Sequence, residues 1–247
     1  MNKVAVWCRR LLVAVLFVLG VAWVETQAAQ WILRTRAQNL LADVRSLNVN
    51  HSRWPDAQQL IAKWGRWGTT AGDCNAEICI YRITIVEVLP QSLTGYPDPG
   101  VKNWLPRIVN HLGLRNAAVR AGFSVQHGIV TSKWFAEQVS LPVSAWNFPP
   151  GQPRVVPNLA LSSGEFAAFP EVTTGPGLHP YRRVRDWHGL YGVTVHFLPQ
   201  EDAAEKTALM DFNLSCITQF SPCLNEGQIL PAAARDLREQ AQSPPTR

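Results

Sequence analysis

An unbroken apolar run near the N-terminus constrains this chain more than any other feature. Residues 11–24 (LLVAVLFVLGVAWV) follow the basic pair Arg9-Arg10 and carry no charged residue. Basic residues ahead of an apolar run favour a cytosolic N-terminus and export of the chain beyond the run. At ~1.5 Å per helical residue, these 14 residues cover only about 21 Å of a hydrocarbon core roughly 30 Å thick. By length alone, the run is typical of a signal peptide.

Two features favour an uncleaved anchor instead. The best cleavage candidate, Thr26-Gln27-Ala28, directly follows Glu25 and is a poor match to the small-x-small pattern. Helical spacing of apolar residues then continues to Leu47, with no Gly or Pro between 21 and 54. We therefore predict that residues 11–33 contact a lipid bilayer, and that the anchor runs straight into a helix.

This interpretation divides the chain into three parts. Residues 1–30 form the anchor, 31–242 an extracytoplasmic domain, and 243–247 a disordered tail, with a possible seam near 90–100. The predicted location is the inner (cytoplasmic) membrane, crossed once, with the C-terminal domain outside the cytoplasm. A secreted or periplasmic protein is the alternative if the leader is cleaved.

Four cysteines beyond the anchor agree with export. They form two local pairs, Cys74 with Cys79 and Cys216 with Cys223. An even number of closely spaced cysteines in an oxidising compartment favours disulfides, and proximity favours these two pairings. Zinc is one alternative, but the spacings are looser than in common zinc knuckles and the compartment opposes it. Free or redox-active thiols are the other.

The periodicity predicts an α+β fold, in which the transmembrane helix precedes an antiparallel sheet of hairpins packed against a few helices. The stretch 140–189 is rich in proline and is expected to be mostly loop, including Ser162-Ser163-Gly164-Glu165. Helices are expected at about 31–47, 53–64, 104–112, 203–217 and 231–242. Strands are expected at about 69–74, 78–89, 117–126, 129–139, 155–161 and 191–197.

The stretch 36–88 carries a resemblance to a known family. A helix, a polar link, a second helix ending in AKWG and a hairpin with CIYRITI resemble the SmpA/OmlA/BamE-type envelope module. Matching positions are Leu60, Trp64, Gly65 and Tyr81. The resemblance implies a helix pair on a small antiparallel sheet and a role in envelope assembly. The overall layout also resembles single-pass exported membrane proteins of bacteria.

The charge balance argues against nucleic acid as a partner. The formal charge is +5, but Lys3, Arg9 and Arg10 precede the apolar run, and the rest of the chain has 20 basic against 18 acidic residues. Nucleic-acid binding needs a concentrated basic face.

No motif in the sequence fixes a reaction, and no catalytic residue or cofactor is predicted. His179, His188 and His196 are spaced unlike a metal site, so no metal is predicted either. Rigid aromatic and basic side chains are enriched in binding surfaces. The candidate binding residues are Trp67, Trp134, Arg182, Arg183 and Arg185.

These features favour a binding or assembly module of the bacterial envelope, with another envelope protein as a candidate partner. The alternative is an exported hydrolase or carbohydrate-binding protein that uses a cleft lined by tryptophans and histidines.

Overall fold

One helix joins the apolar N-terminal segment to the rest of the protein. Helix α1 spans Lys3–Ser46 without a break. It belongs to a computed structural model that describes residues 3–87, 112–113, 115–140, 158–168, 181–185, 190–221, 223–232 and 235. Within these residues, Val6–Ser46 is the one helical stretch long and apolar enough to cross a membrane, by length and composition.

The environment of α1 changes along its length. Residues 11–22 are exposed, whereas a stripe that begins at Trp23 is covered and becomes fully buried at Gln30. Leu33, Ala37 and Val44 continue the stripe at helical spacing and face the core. The predicted continuity between the apolar segment and the first helix is therefore confirmed.

The C-terminal part of α1 packs on a seven-stranded sheet. Its strand order is β1-β2-β3-β4-β5-β7-β6. The strands are β1 (Gly68–Thr70), β2 (Ile78–Glu87), β3 (Ala117–Gln126), β4 (Ile129–Ser140), β5 (Asn158–Phe166), β6 (Tyr181–Arg185) and β7 (Leu190–Phe197). The predicted α+β class is confirmed.

The sheet is mixed, so the expectation of a purely antiparallel sheet is wrong in detail, and so is the expectation of a loop at 162–165. Strand β7 pairs in parallel with β5, while all other neighbours are antiparallel. Strand β6 forms one edge of the sheet. Strand β7, which follows β6 in the chain, lies between β6 and β5. In addition, Ser162-Ser163-Gly164-Glu165 belongs to β5 and is not a loop.

Successive side chains along each strand point to opposite faces of the sheet. We call the face that α1 covers the inner face and the opposite one the outer face. Tyr81, Ile83 and Ile85 of β2 are buried on the inner face, as predicted from their spacing. Val119, Phe123 and the matching residues of β4, β5 and β7 continue this layer. The outer face carries the residues in between.

Short helices complete the inner layer. They are α2 (Trp54–Trp64), α3 (Ala203–Leu209) and α4 (Glu226–Ile229), with 3-10 turns at Gly65–Trp67 and Leu214–Ile217. Asp43 of α1 accepts hydrogen bonds from Trp64 Nε1 and Lys63 Nζ of α2. This contact joins the two predicted helices into a pair.

The predicted helix over 203–217 is interrupted. Asn213 N–H donates to the carbonyl of Ile229 (2.7 Å), so it is not available to continue α3. The Asn213 side chain instead accepts from Ser215 N–H and starts the 3-10 turn. The predicted seam near 90–100, the tail at 243–247 and most of the predicted helices over 104–112 and 231–242 lie outside the described residues.

Both predicted disulfides are present. Cys74 is bonded to Cys79 across the hairpin between β1 and β2, and Cys216 is bonded to Cys223. The second bridge closes the segment that follows the 3-10 turn at Leu214–Ile217.

A buried ion pair fixes the C-terminal end of α1 to the sheet. Lys133 of β4 lies opposite Glu165 of β5, and their charged groups are 3.1 Å apart. Lys133 Nζ also donates to the carbonyls of Arg45 and Leu47, at the end of α1. Helix C-termini expose unpaired carbonyls and attract cations. Although burial lowers the pKa of Lys133, Glu165 opposes this shift.

We expect Lys133→Met to be strongly destabilising. The substitution leaves Glu165 buried, with Lys206 at 3.6 Å as its remaining ion-pair partner among the described residues. Removing one partner of a buried pair costs about 3–5 kcal/mol. The double variant Lys133→Met/Glu165→Leu should recover part of the loss because no uncompensated charge remains.

Denaturant unfolding of the full chain in detergent measures these differences. Lys63→Met is the matched control, since it breaks the exposed pair with Asp43 and should cost about 1 kcal/mol or less. A Lys133→Met variant as stable as this control would contradict the role assigned to the buried pair.

Candidate functional site

Strand register arranges the outer face of the sheet in rows. Paired residues on β2, β3, β4, β5 and β7 lie side by side across the sheet. The Trp134 row consists of Arg82, Gly122, Trp134, Gly164 and His196. The Arg120 row consists of Thr84, Arg120, Ala136, Ser162 and Thr194.

Trp134 occupies the middle of its row because its two neighbours have no side chain. A Cβ atom added to Gly122 would lie 2.7 Å from Trp134 Nε1, so the indole covers this glycine. A Cβ atom at Gly164 would lie 2.8 Å from Trp134 Cβ. Both distances are shorter than the contacts that a Cβ atom makes with non-bonded atoms in proteins, so a side chain at either position would clash. Gly122 therefore makes the space in which the indole lies, and Gly164 allows β5 to approach Trp134 Cβ closely.

Two adjoining cavities share Trp134 and Ser162. The larger, about 590 Å³, also contacts Arg82, Arg120 and Thr194. The smaller, about 340 Å³, is lined further by Ser124, Ser132, Gly164, Phe166 and His196. Together they give the outer face an aromatic centre surrounded by hydroxyl groups.

The charge of this surface is positive. Arg82 and Arg120 are exposed, and neither forms an ion pair with a carboxylate within the described part of the chain. The described lining of the two cavities contains no Asp or Glu. Guanidinium groups without carboxylate partners can bind the phosphate, sulfate or carboxylate groups of a ligand.

His196 contributes shape more than charge. The centroids of the His196 and Phe166 rings are 4.7 Å apart. Partial burial lowers the pKa of the imidazole. Burial therefore disfavours the charged imidazolium form of His196. No group of three or more His, Cys, Asp or Glu that could hold a metal occurs among the described residues. His179 and His188 lie outside those residues.

The predicted binding residues occupy different parts of the fold. Trp134 is central to the outer face, but Trp67 lies on the α1 side, where it contacts Arg36, Arg66 and Trp64. The two tryptophans therefore do not form one surface.

The three predicted arginines lie on the edge strand β6. Arg182 is in register with Thr194, which places it at the end of the Arg120 row. Arg183 and Arg185 are in register with Val193 and Tyr191.

Sequence reasoning did not select Arg82 and Arg120 as binding residues. Alternation places both on the face away from the apolar positions, which was a usable signal. Their relation to Trp134 depends on strand register across residues far apart in the chain, and the sequence pattern does not show this.

A buried acid lies on the opposite, inner face. Glu137 of β4 is completely buried, and neither carboxyl oxygen has a hydrogen-bond partner among the residues that the structure describes. Burial raises the pKa of Glu137 well above its ordinary value, and the positive charge of Arg34 opposes this only in part. Its position within the core makes it a determinant of stability, separate from the outer face.

Glu137→Gln should change how stability depends on pH. The folded protein holds the Glu137 proton more tightly than the unfolded chain, whose glutamates titrate near pH ~4.3. The wild type therefore loses stability as pH rises above that value, up to the raised pKa. The glutamine variant lacks this loss, so its advantage over the wild type should grow with pH.

Denaturant midpoints measured at a series of pH values upward from about pH 4, near the pKa of an unfolded glutamate, test this expectation. Asp73→Asn removes an exposed acid and serves as the control. Parallel pH profiles for the wild type and Glu137→Gln would contradict the raised pKa.

Comparison of the sequence with protein families and curated proteins, and of the fold with solved structures, gave no significant match. The resemblance of 36–88 to the SmpA/OmlA/BamE-type module therefore stays a prediction. Function has to be argued from the geometry of the outer face and from the character of α1.

Proposed function

We propose that this protein is a membrane-anchored, extracytoplasmic binding module that holds an anionic saccharide ligand of the bacterial envelope on the outer face of its sheet. The observation that carries the proposal is the placement of Trp134 beside two exposed arginines that have no carboxylate partner in the described structure.

The anchoring part of the proposal is supported by α1 and the disulfides. The exposed apolar segment over 11–22 follows Arg9-Arg10, the charge pattern of a helix with a cytosolic N-terminus. Two disulfides favour an oxidising compartment for the domain. Both features agree with the inner membrane as the location and the periplasm as the environment of the sheet.

The ligand class follows from the chemistry of the outer face. Arg82 and Arg120 suit phosphate, sulfate or carboxylate groups, which guanidinium binds through paired hydrogen bonds. The indole of Trp134 offers an apolar surface with a polar edge for a sugar ring. Ser162 and Thr194 supply hydroxyl donors and acceptors nearby.

Binding is favoured over hydrolysis by the residues that line the cavities. Most glycoside hydrolases use two carboxyl groups on either side of the scissile bond. No carboxyl group lines either cavity in the described structure. An assembly role, as the family resemblance implies, is compatible with a module that binds an envelope component.

Dextran sulfate and unmodified dextran provide a matched pair of probes for the full-length protein in detergent. We expect binding to dextran sulfate, and a weakening of about tenfold or more in Trp134→Ala and in Arg82→Ala/Arg120→Ala, because ~1.4 kcal/mol corresponds to tenfold. Isothermal titration calorimetry measures the affinities, and thermal melting checks that the variants remain folded.

Arg53→Ala/Arg66→Ala is the control for charge, because it removes two exposed arginines near α2 on the other side of the sheet. It should leave affinity nearly unchanged. Equal weakening by the two double variants would show nonspecific attraction and would contradict a binding site on the outer face.

A further inference from the structure

We propose that the end of the domain nearest the apolar segment is immersed in the membrane interface on the non-cytoplasmic side. The immersed surface, here called the exit patch, consists of Leu112 and Phe220 beside Trp23 of α1. This inference rests on the membrane anchoring proposed above and adds a second set of lipid contacts, made by the folded domain.

The length of the apolar run provides the first argument. If Arg9-Arg10 mark the cytosolic edge, about 20 helical residues are needed to cross ~30 Å of hydrocarbon. Counted from Leu11, this span ends near Gln30, beyond the last residue of the run at Val24. Tilting α1 would increase the shortfall, since a tilted helix needs more residues. The bilayer must therefore thin, or reach the level of residues 24–30.

The domain already contacts α1 at that level. The ring of Trp23 stacks on that of Phe220, with centroids 6.3 Å apart. The carbonyl of Leu112 accepts hydrogen bonds from Trp23 Nε1 (3.4 Å) and Gln27 Nε2 (3.1 Å). The domain cannot stand away from the membrane on a linker, because it contacts Trp23, which lies within the apolar run itself, and Gln27 one turn further on.

The two residues of the exit patch are apolar and exposed. Leu112 is 43% exposed and Phe220 is 56% exposed, although both adjoin the apolar helix. Tryptophan and other amphipathic aromatic side chains favour the membrane–water interface. Continuity with the exposed apolar segment of α1 identifies lipid as the occupant of this surface.

The exit patch is held in place by buried groups. Arg115, which is almost fully buried, donates to the carbonyls of Cys216, Gln219 and Phe220. The Cys216–Cys223 disulfide closes the same segment.

A second set of contacts ties this segment to α1. Gln30 Nε2 donates to the carbonyl of Arg115 (3.1 Å). Gly113 has φ +78°, and a Cβ atom there would lie 3.2 Å from Gln27 Nε2. The close approach of 112–113 to the helix therefore depends on glycine.

Site-specific labels in lipid nanodiscs test the inference. In a Cys8→Ser background, single cysteines at Leu112, Phe220, Phe17 and Ile78 are labelled with the environment-sensitive fluorophore NBD. The full-length protein is placed in phosphatidylethanolamine/phosphatidylglycerol nanodiscs that carry nitroxide lipids, either near the headgroup or deep in the acyl chain. Intact mass confirms that both disulfides survive in each variant.

The two reference sites make the outcomes distinguishable. Phe17 is 72% exposed in the middle of the apolar run and reports anchoring. Ile78 is 53% exposed at the start of β2, beside the His127–Gly128 turn, at the end of the sheet remote from the exit patch. It reports an apolar surface position outside the membrane.

We expect the deep nitroxide to quench the label at Phe17, the shallow nitroxide to quench the labels at Leu112 and Phe220, and neither to quench Ile78. If Phe17 is quenched but Leu112, Phe220 or both are not, the inference is overturned and the proposed anchoring is unaffected. Blue-shifted emission at Leu112 and Phe220 without quenching also overturns it, and assigns the patch to a second copy or a partner protein. An unquenched Phe17 overturns the proposed anchoring itself.

Discussion

The burial of one side of α1 against the sheet is the constraint on which the rest of this structure depends. The stripe that starts at Trp23 runs to Val44, so the apolar segment enters the domain as part of a single helix. Each end of the buried section is held by a buried cation. Lys133 binds the carbonyls at the C-terminal end, and Arg115 fixes the loop that packs beside Trp23.

This arrangement assigns different roles to the two faces of the sheet. The inner face is occupied by α1 and the short helices, and it accommodates even ionised residues such as Lys133 and Glu165 by pairing them. The outer face retains polar and small residues, and Gly122 leaves room for the indole of Trp134. The proposed ligand-binding surface and the helix-packing surface are thus separated by the thickness of one sheet.

Much of the fold could be predicted from the sequence, because periodicity reports which side of an element is buried. The continuity of α1, helix α2, the hairpin of β3 and β4 and both disulfide pairs follow from local patterns of this kind. Strand β5 could not be predicted in full, since Ser163 and Glu165 are polar residues on the inner face. Glu165 is tolerated there because Lys133 lies opposite it on β4, a contact that local sequence does not show.

The candidate site was less predictable than the fold, because it too depends on contacts between strands that are distant in the sequence. Trp134 could be singled out as a rigid aromatic residue, but its neighbours come from strands separated by many residues. Arg82 and Gly122 are brought beside it by the register of β2, β3 and β4. The parallel pairing of β5 with β7 then adds His196 and Thr194, and no local pattern indicated that pairing. Register between distant segments is a tertiary property, so single-residue patterns cannot supply it.

In the proposed arrangement, α1 joins the membrane and the domain without a hinge. Hydrogen–deuterium exchange of the full-length protein in nanodiscs tests this most directly at the amides of residues 22–34. Slow exchange across the whole stretch is expected, because every amide there donates within one helix packed against lipid or protein. A rapidly exchanging segment between Val24 and Leu33 would reveal a flexible joint, and it would contradict the rigid coupling of anchor and domain.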